Sequence, residues 1–449
     1  MPPLDEFRKQ IGDVPAHDDA ATLKLKSLDF YWFSPILKRQ LADCRGDIAV
    51  RPRNRDEVLA VAAAAARTRL PLTVRGGGTG NYGQAIPLSG GVVLDMGALD
   101  GVVSVSPGVG TFEAGATMLE IDKALAPQGW ELRFHPSTRK QATIGGFVAG
   151  GAAGAGSCTW GQIADPGAVL AVEVATVEEN PRVLRLEGPD VLKVLHAYGI
   201  NGILLSVTVP LAPRHPWAER ILAFPDLARA ARFGQALTEA EGIAKKLVSV
   251  FDPRIPPKLG RLSAYVPEGR AAAIVMVSEP QAGALIDMAA RFGGEVTFAR
   301  SAEEADRVAF EGLGSPGPLY EYTWNHTTLH ALKREPDITY LQVRFPPDGM
   351  LELVDTVAAT FGDELLLHLE FQRRFGRVVC SALPLVRYTS DARLDEVIAT
   401  LDAMGAAVSN PHTFVLDNAG WKRVDAPQPE FKRVADPHGL MNPGKLAGT

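Results

Sequence analysis

The stretch LTVRGGGTGNYGQA, Leu72 to Ala85, decides how this chain is read. Within it, Gly78-Thr79-Gly80-Asn81-Tyr82-Gly83 satisfies G-x-G-x-x-G, directly after an apolar run suited to a strand. A dinucleotide-binding crossover of that type continues into a helix whose N-terminus faces a pyrophosphate. Here the chain runs on as QAIPLSGGVVLDM, with Pro87, Gly90 and Gly91 as breakers before a strand at Val92 to Leu94. The missing helix argues against a nicotinamide site of the Rossmann type. Asp95 follows too soon to be the acid that holds a ribose in that fold. The glycines therefore sit on a strand–loop–strand connection. Successive backbone N–H groups without Cβ hindrance can there form a concavity around a diphosphate.

Outward from this loop, the pattern is mixed. Asn54 or Asp56 caps an Ala-rich helix through Ala66, and Thr117-Met-Leu-Glu120 is a capping box opening a helix that ends near Gly129. A second glycine-rich block, FHPSTRKQATIGGFVAGGAAGAGSCTWGQI (Phe134 to Ile163), would let backbone lie directly against a flat or extended ligand. Strands are expected at Val169 to Thr176 and Val183 to Leu186, a helix at Pro189 to Ala197, and a linker at RHPWAE after Pro213. Beyond it, helical patterns (Leu227 to Glu241, Gln281 to Phe292, Met350 to Phe361, Ala392 to Met404) alternate with strands. The strands are Ala272 to Val277, Glu295 to Ala299, Ile338 to Phe345, Glu364 to Phe371 and Val378 to Leu383. This alternation predicts an α+β unit with an open sheet and helices on one face. The final forty residues read as irregular.

At 449 residues the chain calls for two or three domains. Its 46 Lys and Arg against 52 Asp and Glu leave a net charge of −6, which gives no support for nucleic-acid binding. Cys44, Cys158 and Cys380 form neither a disulfide framework nor a zinc pattern. The charged N-terminus lacks the apolar segment of a signal peptide, and the longest apolar run, Val58 to Ala66, cannot span a bilayer. A soluble, cytoplasmic protein with no membrane or nucleic-acid partner is expected.

Two glycine blocks, an α+β insert and the ending D-P-x-G-x-x-N-P-G-K together resemble the vanillyl-alcohol-oxidase-type flavoproteins, whose FAD domain is called PCMH-type. The resemblance covers Asp47 to about Ala212 and the tail Ala435 to Leu446. It implies an α+β fold with a two-subdomain PCMH-type FAD-binding domain and an α+β substrate (cap) domain built on an antiparallel sheet. The implied boundaries are 1–215, 216–408, and 409–449 returning to the FAD domain. It further implies that Arg75, Gly76, Gly77, Gly78, Thr79, Gly80, Asn81 and Gly83 wrap the FAD diphosphate. Pro136, Ser137, Thr138, Thr143, Gly145, Gly146 and Gly150 would line the ribityl and isoalloxazine, and Trp160 would stand at the family's aromatic–Gly pair. Gly202 and Ile203 match the stretch closing on the adenosine side, and Asn442 and Lys445 lie in the returning tail. Thr79 occupies the place where covalent relatives carry His, and no cysteine lies between Pro136 and Gly150, so dissociable FAD is expected. His135, Cys158 or a histidine of the substrate domain keep covalent attachment open. The H-x-G-D-G-N-L-H and E-H-G-I-G motifs of the metal-dependent branch are absent, so no metal is expected.

With FAD, the chemistry implied is hydride transfer from a small alcohol or 2-hydroxy acid, reoxidation by O₂ or another redox partner, and proton removal by a side chain. Strand periodicity nominates the groups. His368, Glu370, Gln372 and Arg374 share one face of an expected strand, while Leu365, Leu367, Leu369 and Phe371 share the other. Tyr340, Gln342 and Arg344 alternate likewise, and Tyr320, Tyr322, Trp324 and His326 also recur at period two. These faces either meet solvent or form a pocket wall. As a pocket wall, they offer His368 or His326 as base, with Tyr322 as a phenolic alternative. Arg344 would bind an anion or sit near the flavin, Glu370 would orient a neighbouring histidine or Arg, and Gln372 is a further candidate on the same face. A non-catalytic flavin- or nucleotide-binding module is the alternative.

Overall fold

The computed structural model describes residues 2–151, 153–418 and 427–446. Its first layer is a four-stranded sheet in the order Ala16–His17, Ile48–Val50, Val92–Asp95, Leu72–Arg75, with the last two pairings parallel. Parallel neighbours need a crossover of about a dozen residues or more, usually a helix. Here the glycine loop between Arg75 and Val92 is that crossover, and no helix interrupts it. The helix Arg55–Thr68 covers the sheet. Asn54 caps it by accepting from the Glu57 N–H at 3.0 Å, and its buried alanines pack on Ile48, Leu72 and Leu94. Small side chains here allow helix and sheet to approach closely, which suits an Ala-rich helix.

The second layer is antiparallel and centred on the long strand Ile203–Pro213, flanked by Val109–Glu113 and Ala171–Ala175. Thr117 caps the helix Met118–Leu125 by accepting from the Glu120 N–H. The second glycine block contains a short helix, Ile144–Gly150, that the sequence pattern did not expose, because its glycines read as loop. Thr143 caps it, with Oγ1 accepting from the Gly146 N–H at 3.1 Å.

The third layer is an eight-stranded antiparallel sheet among the described residues. Helices Leu227–Glu239, Ala282–Arg291, Met350–Phe361 and Asp391–Ala403 lie against one face. Leu365, Leu367, Leu369 and Phe371 enter that core with Phe233, Val354 and Val357, as the alternating pattern requires. The chain is thus α+β with antiparallel sheets and helices on one face of the largest.

Several local readings are corrected. RHPWAE is not a linker throughout, because Trp217 opens the strand Trp217–Phe224, which holds the centre of an edge-to-edge run with Ala271–Ser278 and Glu295–Arg300. Pro189 to Ala197 is a 3₁₀ helix, Gly188–Lys193, rather than a full α-helix. Ile338 to Phe345 is two strands, Ile338–Tyr340 and Gln342–Phe345, which pair in different sheets. Tyr320 to His326 is not a strand. Pro316 and Pro318 precede it and remove ladder donors, and the chain forms the 3₁₀ turn Leu319–Tyr322 followed by the helix His326–Leu332. The tail is not wholly irregular, since Pro427–Ala435 is helical; the rest of that expectation falls partly on 419–426 and 447–449, outside the described residues.

Candidate functional site

A cavity of about 590 Å³ runs between the two glycine blocks and the polar face of the large sheet. Gly76, Gly77, Gly78, Thr79, Gly80 and Asn81 form one wall, and Pro136, Ser137, Thr138, Thr143, Gly145, Gly146, Gly150 and Gly202 another. The glycines have two distinct reasons to be glycine. A Cβ on Gly76 would collide with the Thr143 side chain, and one on Gly77 with the Gln141 carbonyl, so these residues let the two blocks meet at close range. A Cβ on Gly150 would meet nothing within 4 Å, so this residue leaves room in the cavity itself. Gly78 is at φ +64°, where only glycine sits without strain.

Other residues named from the sequence support this wall from behind. Arg75 is buried, and its guanidinium donates to the carbonyls of Lys26 (3.1 Å) and Leu28 rather than into the cavity. Gly83 lies outside the lining, at φ +73°, with its carbonyl accepting from Lys445 Nζ. Lys445 is fully buried, and burial pushes its ammonium down to about 7 while the nearby Asp29 opposes the shift. Asn442 Nδ2 donates to the Gln84 carbonyl at 2.8 Å and to the Tyr198 carbonyl at 2.6 Å. The tail therefore staples the first loop. Ile203 belongs to the apolar core. Trp160 lies at the surface, with the Arg133 guanidinium 4.8 Å from its ring centroid. His135 and Cys158, both buried, are likewise outside the lining.

On the sheet side, the polar faces meet the cavity rather than bulk solvent. Gln342, Arg344, Gln372, Arg374 and Ser381 line it, with Trp324, Asn325 and His326 from the adjoining turn. Gln372 bridges the layers: its Oε1 accepts from Gln162 Nε2 at 2.9 Å and its Nε2 donates to Ser381 Oγ at 2.5 Å. Burial, reinforced by the like charge of Arg374, depresses the Arg344 guanidinium to about 10. His326 is pushed to about 4, first by burial and then by His330, so it is a neutral imidazole near neutral pH.

His368 and Tyr322 do not reach the cavity, which corrects their nomination as base. His368 is wholly buried, stacked on Phe251 at 4.6 Å, with Nε2 2.9 Å from both Ser249 Oγ and Glu370 Oε1. Tyr322 is stacked on His330 at 4.6 Å. Glu370 also lies below the lining. The period-two face was right in register but runs inward at its N-terminal end. Residues the sequence reading missed include Gln162, His196, Tyr82 and Tyr198. The Tyr82 and Tyr198 rings stack 6.3 Å apart in the wall. Tyr82 lay inside the quoted glycine loop and was legible there as its one aromatic. Tyr198, at φ +50°, carried no local signal.

The wall suits a flavin dinucleotide. The first loop offers a run of unhindered backbone N–H groups, Gly150 leaves open space, and no Asp or Glu lines the cavity among the described residues, which favours a diphosphate. No group of three His, Cys, Asp or Glu is placed to hold a metal among the described residues, and no described helix is long and apolar enough to cross a membrane.

Comparisons with known proteins agree with the geometry. Residues 46–185 match the model of an FAD binding domain. The chain is 32% identical over 214 residues to the glycolate oxidase subunit GlcD of Escherichia coli (strain K12), covering 46% of this chain and 42% of that protein. It is 28% identical over 177 residues to D-lactate dehydrogenase of Archaeoglobus fulgidus, covering 37% and 39%. A D-2-hydroxyglutarate dehydrogenase of Escherichia coli (strain K12) is 35% identical over 125 residues, 26% of this chain and 12% of that one. The chain thus spans less than half the length of these curated relatives. Among solved structures, an alkyldihydroxyacetonephosphate synthase superposes with a TM-score of 0.73 over 99% of this chain and 86% of that one, at 16% identity, which shows a shared fold. Residues 46–185 are thus an FAD binding domain, and the chain is similar through it to FAD-linked oxidoreductases.

Proposed function

We propose that this protein is an FAD-dependent oxidoreductase that oxidises the CH–OH group of a small 2-hydroxy acid. The observation that carries the anionic substrate is the sheet wall. It presents Arg344 and Arg374 close enough for one charge to depress the other, with no carboxylate in the described lining. Two guanidiniums sharing a partly desolvated site favour an anion there. The relatives named for glycolate, D-lactate and D-2-hydroxyglutarate support the same class.

In this reading residues 1–215, with 409–449 returning, hold the cofactor, and 216–408 present the substrate. Gly76 to Asn81 hold the diphosphate, and Pro136 to Gly150 with Gly202 line the rest. Bound FAD supplies the acceptor for a hydride. Arg344 and Arg374 take the substrate carboxylate, and Gln372, fixed by Gln162 and Ser381, orients it. The neutral imidazole of His326 takes the hydroxyl proton as the carbonyl forms. Thr79 stands where covalent relatives carry a tethering His, and His135 and Cys158 lie outside the lining, so the FAD is read as dissociable. O₂ or another acceptor then reoxidises the cofactor.

The test compares each 2-hydroxy acid with its neutral diol analogue, such as glycolate with ethylene glycol, using an artificial electron acceptor. Turnover confined to the acids supports the reading; equal turnover of the diols refutes the anion site. A flavin that is reducible by dithionite but by no substrate would favour the non-catalytic module.

A further inference from the structure

Glu370 is 1% exposed, and its Oε1 accepts from three donors. These are the backbone N–H of Trp324 at 2.7 Å, the Ser249 hydroxyl at 3.0 Å and His368 Nε2 at 2.9 Å. Trp324 is in the left-handed region at φ +52°, a conformation that non-glycine residues adopt only where the surroundings over-determine it. Trp324, Asn325 and His326 all line the cavity, whereas Glu370 and His368 lie beneath it. On the same strand, Gln372 and Arg374 do reach the cavity. A buried carboxylate two residues from Gln372 would neutralise the arginine pair if it turned upward. Instead it is directed to a main-chain N–H. A proton on His368 Nε2 serves both Glu370 and Ser249, while Nδ1 has no hydrogen-bond partner among the described residues. Stacking on Phe251 fixes the ring in that orientation.

We propose that Glu370, held by Ser249 and His368, is a positioning residue that locks Trp324 in the left-handed region and so sets where the His326 imidazole faces Arg344 and Arg374. This rests on the reading of that wall as the substrate site. What the turn requires is an acceptor oxygen at one place, not a charge. Two conservative substitutions separate these. Glu370→Gln keeps an oxygen at the end of the same chain. Glu370→Asp keeps the charge and withdraws the oxygen by one methylene.

The probe is oxalate, an unreactive dianion, titrated into the FAD-loaded protein and read by perturbation of the flavin spectrum. The expected result is E370Q within about twofold of wild type and E370D weaker by about tenfold, the size of one lost hydrogen bond. E370D binding like wild type, or E370Q the weaker of the two, overturns the proposal. A crystal structure of E370D reads the same point without any ligand: Trp324 leaving the left-handed region supports it, and Trp324 unchanged overturns it. A wild-type protein blind to oxalate would sink the anionic-substrate reading instead, and the E370D structure would still decide this one.

Discussion

His326 faces the cavity as a neutral imidazole because burial and His330 resist its protonation. Replacing it by asparagine keeps size and polarity and removes the proton acceptor. Flavin reduction by substrate is expected to slow by about 100-fold, the usual scale of a general base, with substrate affinity nearly unchanged. Rapid-mixing measurement of flavin bleaching checks this, and an unchanged rate would place the base elsewhere. Arg344→Met removes one of two guanidiniums. KM for a hydroxy acid is expected to rise by about tenfold or more, while FAD affinity holds, because the loss is one charge-assisted contact. Steady-state kinetics beside a flavin-binding titration separates the two effects.

Glycines in the two blocks should respond differently to substitution. Gly76→Ala drives a Cβ into Thr143 and is expected to lower the melting temperature. Gly150→Leu grows into open space, and should leave melting of the FAD-free protein unchanged while weakening FAD binding. Fluorescence titration with FAD and thermal unfolding of both variants check this pair. Elements with strong local signals were legible in the sequence. Asn54, Thr117, Pro87 and the alternation from Leu365 to Phe371 each determine their structure through capping, ring constraint or burial of one face. The loop's departure from a nicotinamide crossover was legible because Pro87, Gly90 and Gly91 leave no helix after its glycines. What local pattern could not supply was depth. His368 and Gln372 share a strand face, yet one is fully buried against Phe251 and the other lines the cavity, which depends on what the rest of the fold packs over each. The period-two pattern in Tyr320 to His326 falls on a 3₁₀ turn and the start of a helix, where side chains on one face recur at three or more residues, so it marks no common face.

Across the whole molecule, the cavity exists only where the three layers meet, and buried histidines stand at these junctions. His412 joins the N-terminal segment to the strand Ile338–Tyr340, with Nδ1 2.7 Å from Ser34 Oγ and Nε2 3.0 Å from the Tyr340 carbonyl. Burial pushes His412 to about 4, as it does His326, against an ordinary value of 6.5. Between those pH values the unfolded chain binds protons that the folded chain refuses, so stability is expected to fall as pH drops from 6.5 toward 4 and to be intact above that window. Thermal unfolding of wild type and His412→Gln across this range checks it, with a shallower acid slope in the variant. The central claim is that the cavity binds FAD and places a 2-hydroxy acid against it. It is tested most directly by anaerobic mixing of the FAD-loaded protein with glycolate, D-lactate and D-2-hydroxyglutarate while the visible flavin bands are followed. At least one of these acids is expected to bleach the flavin, with colour returning when air or an artificial acceptor is admitted. Full retention of the oxidised spectrum with every hydroxy acid, in protein that demonstrably holds FAD, would contradict it.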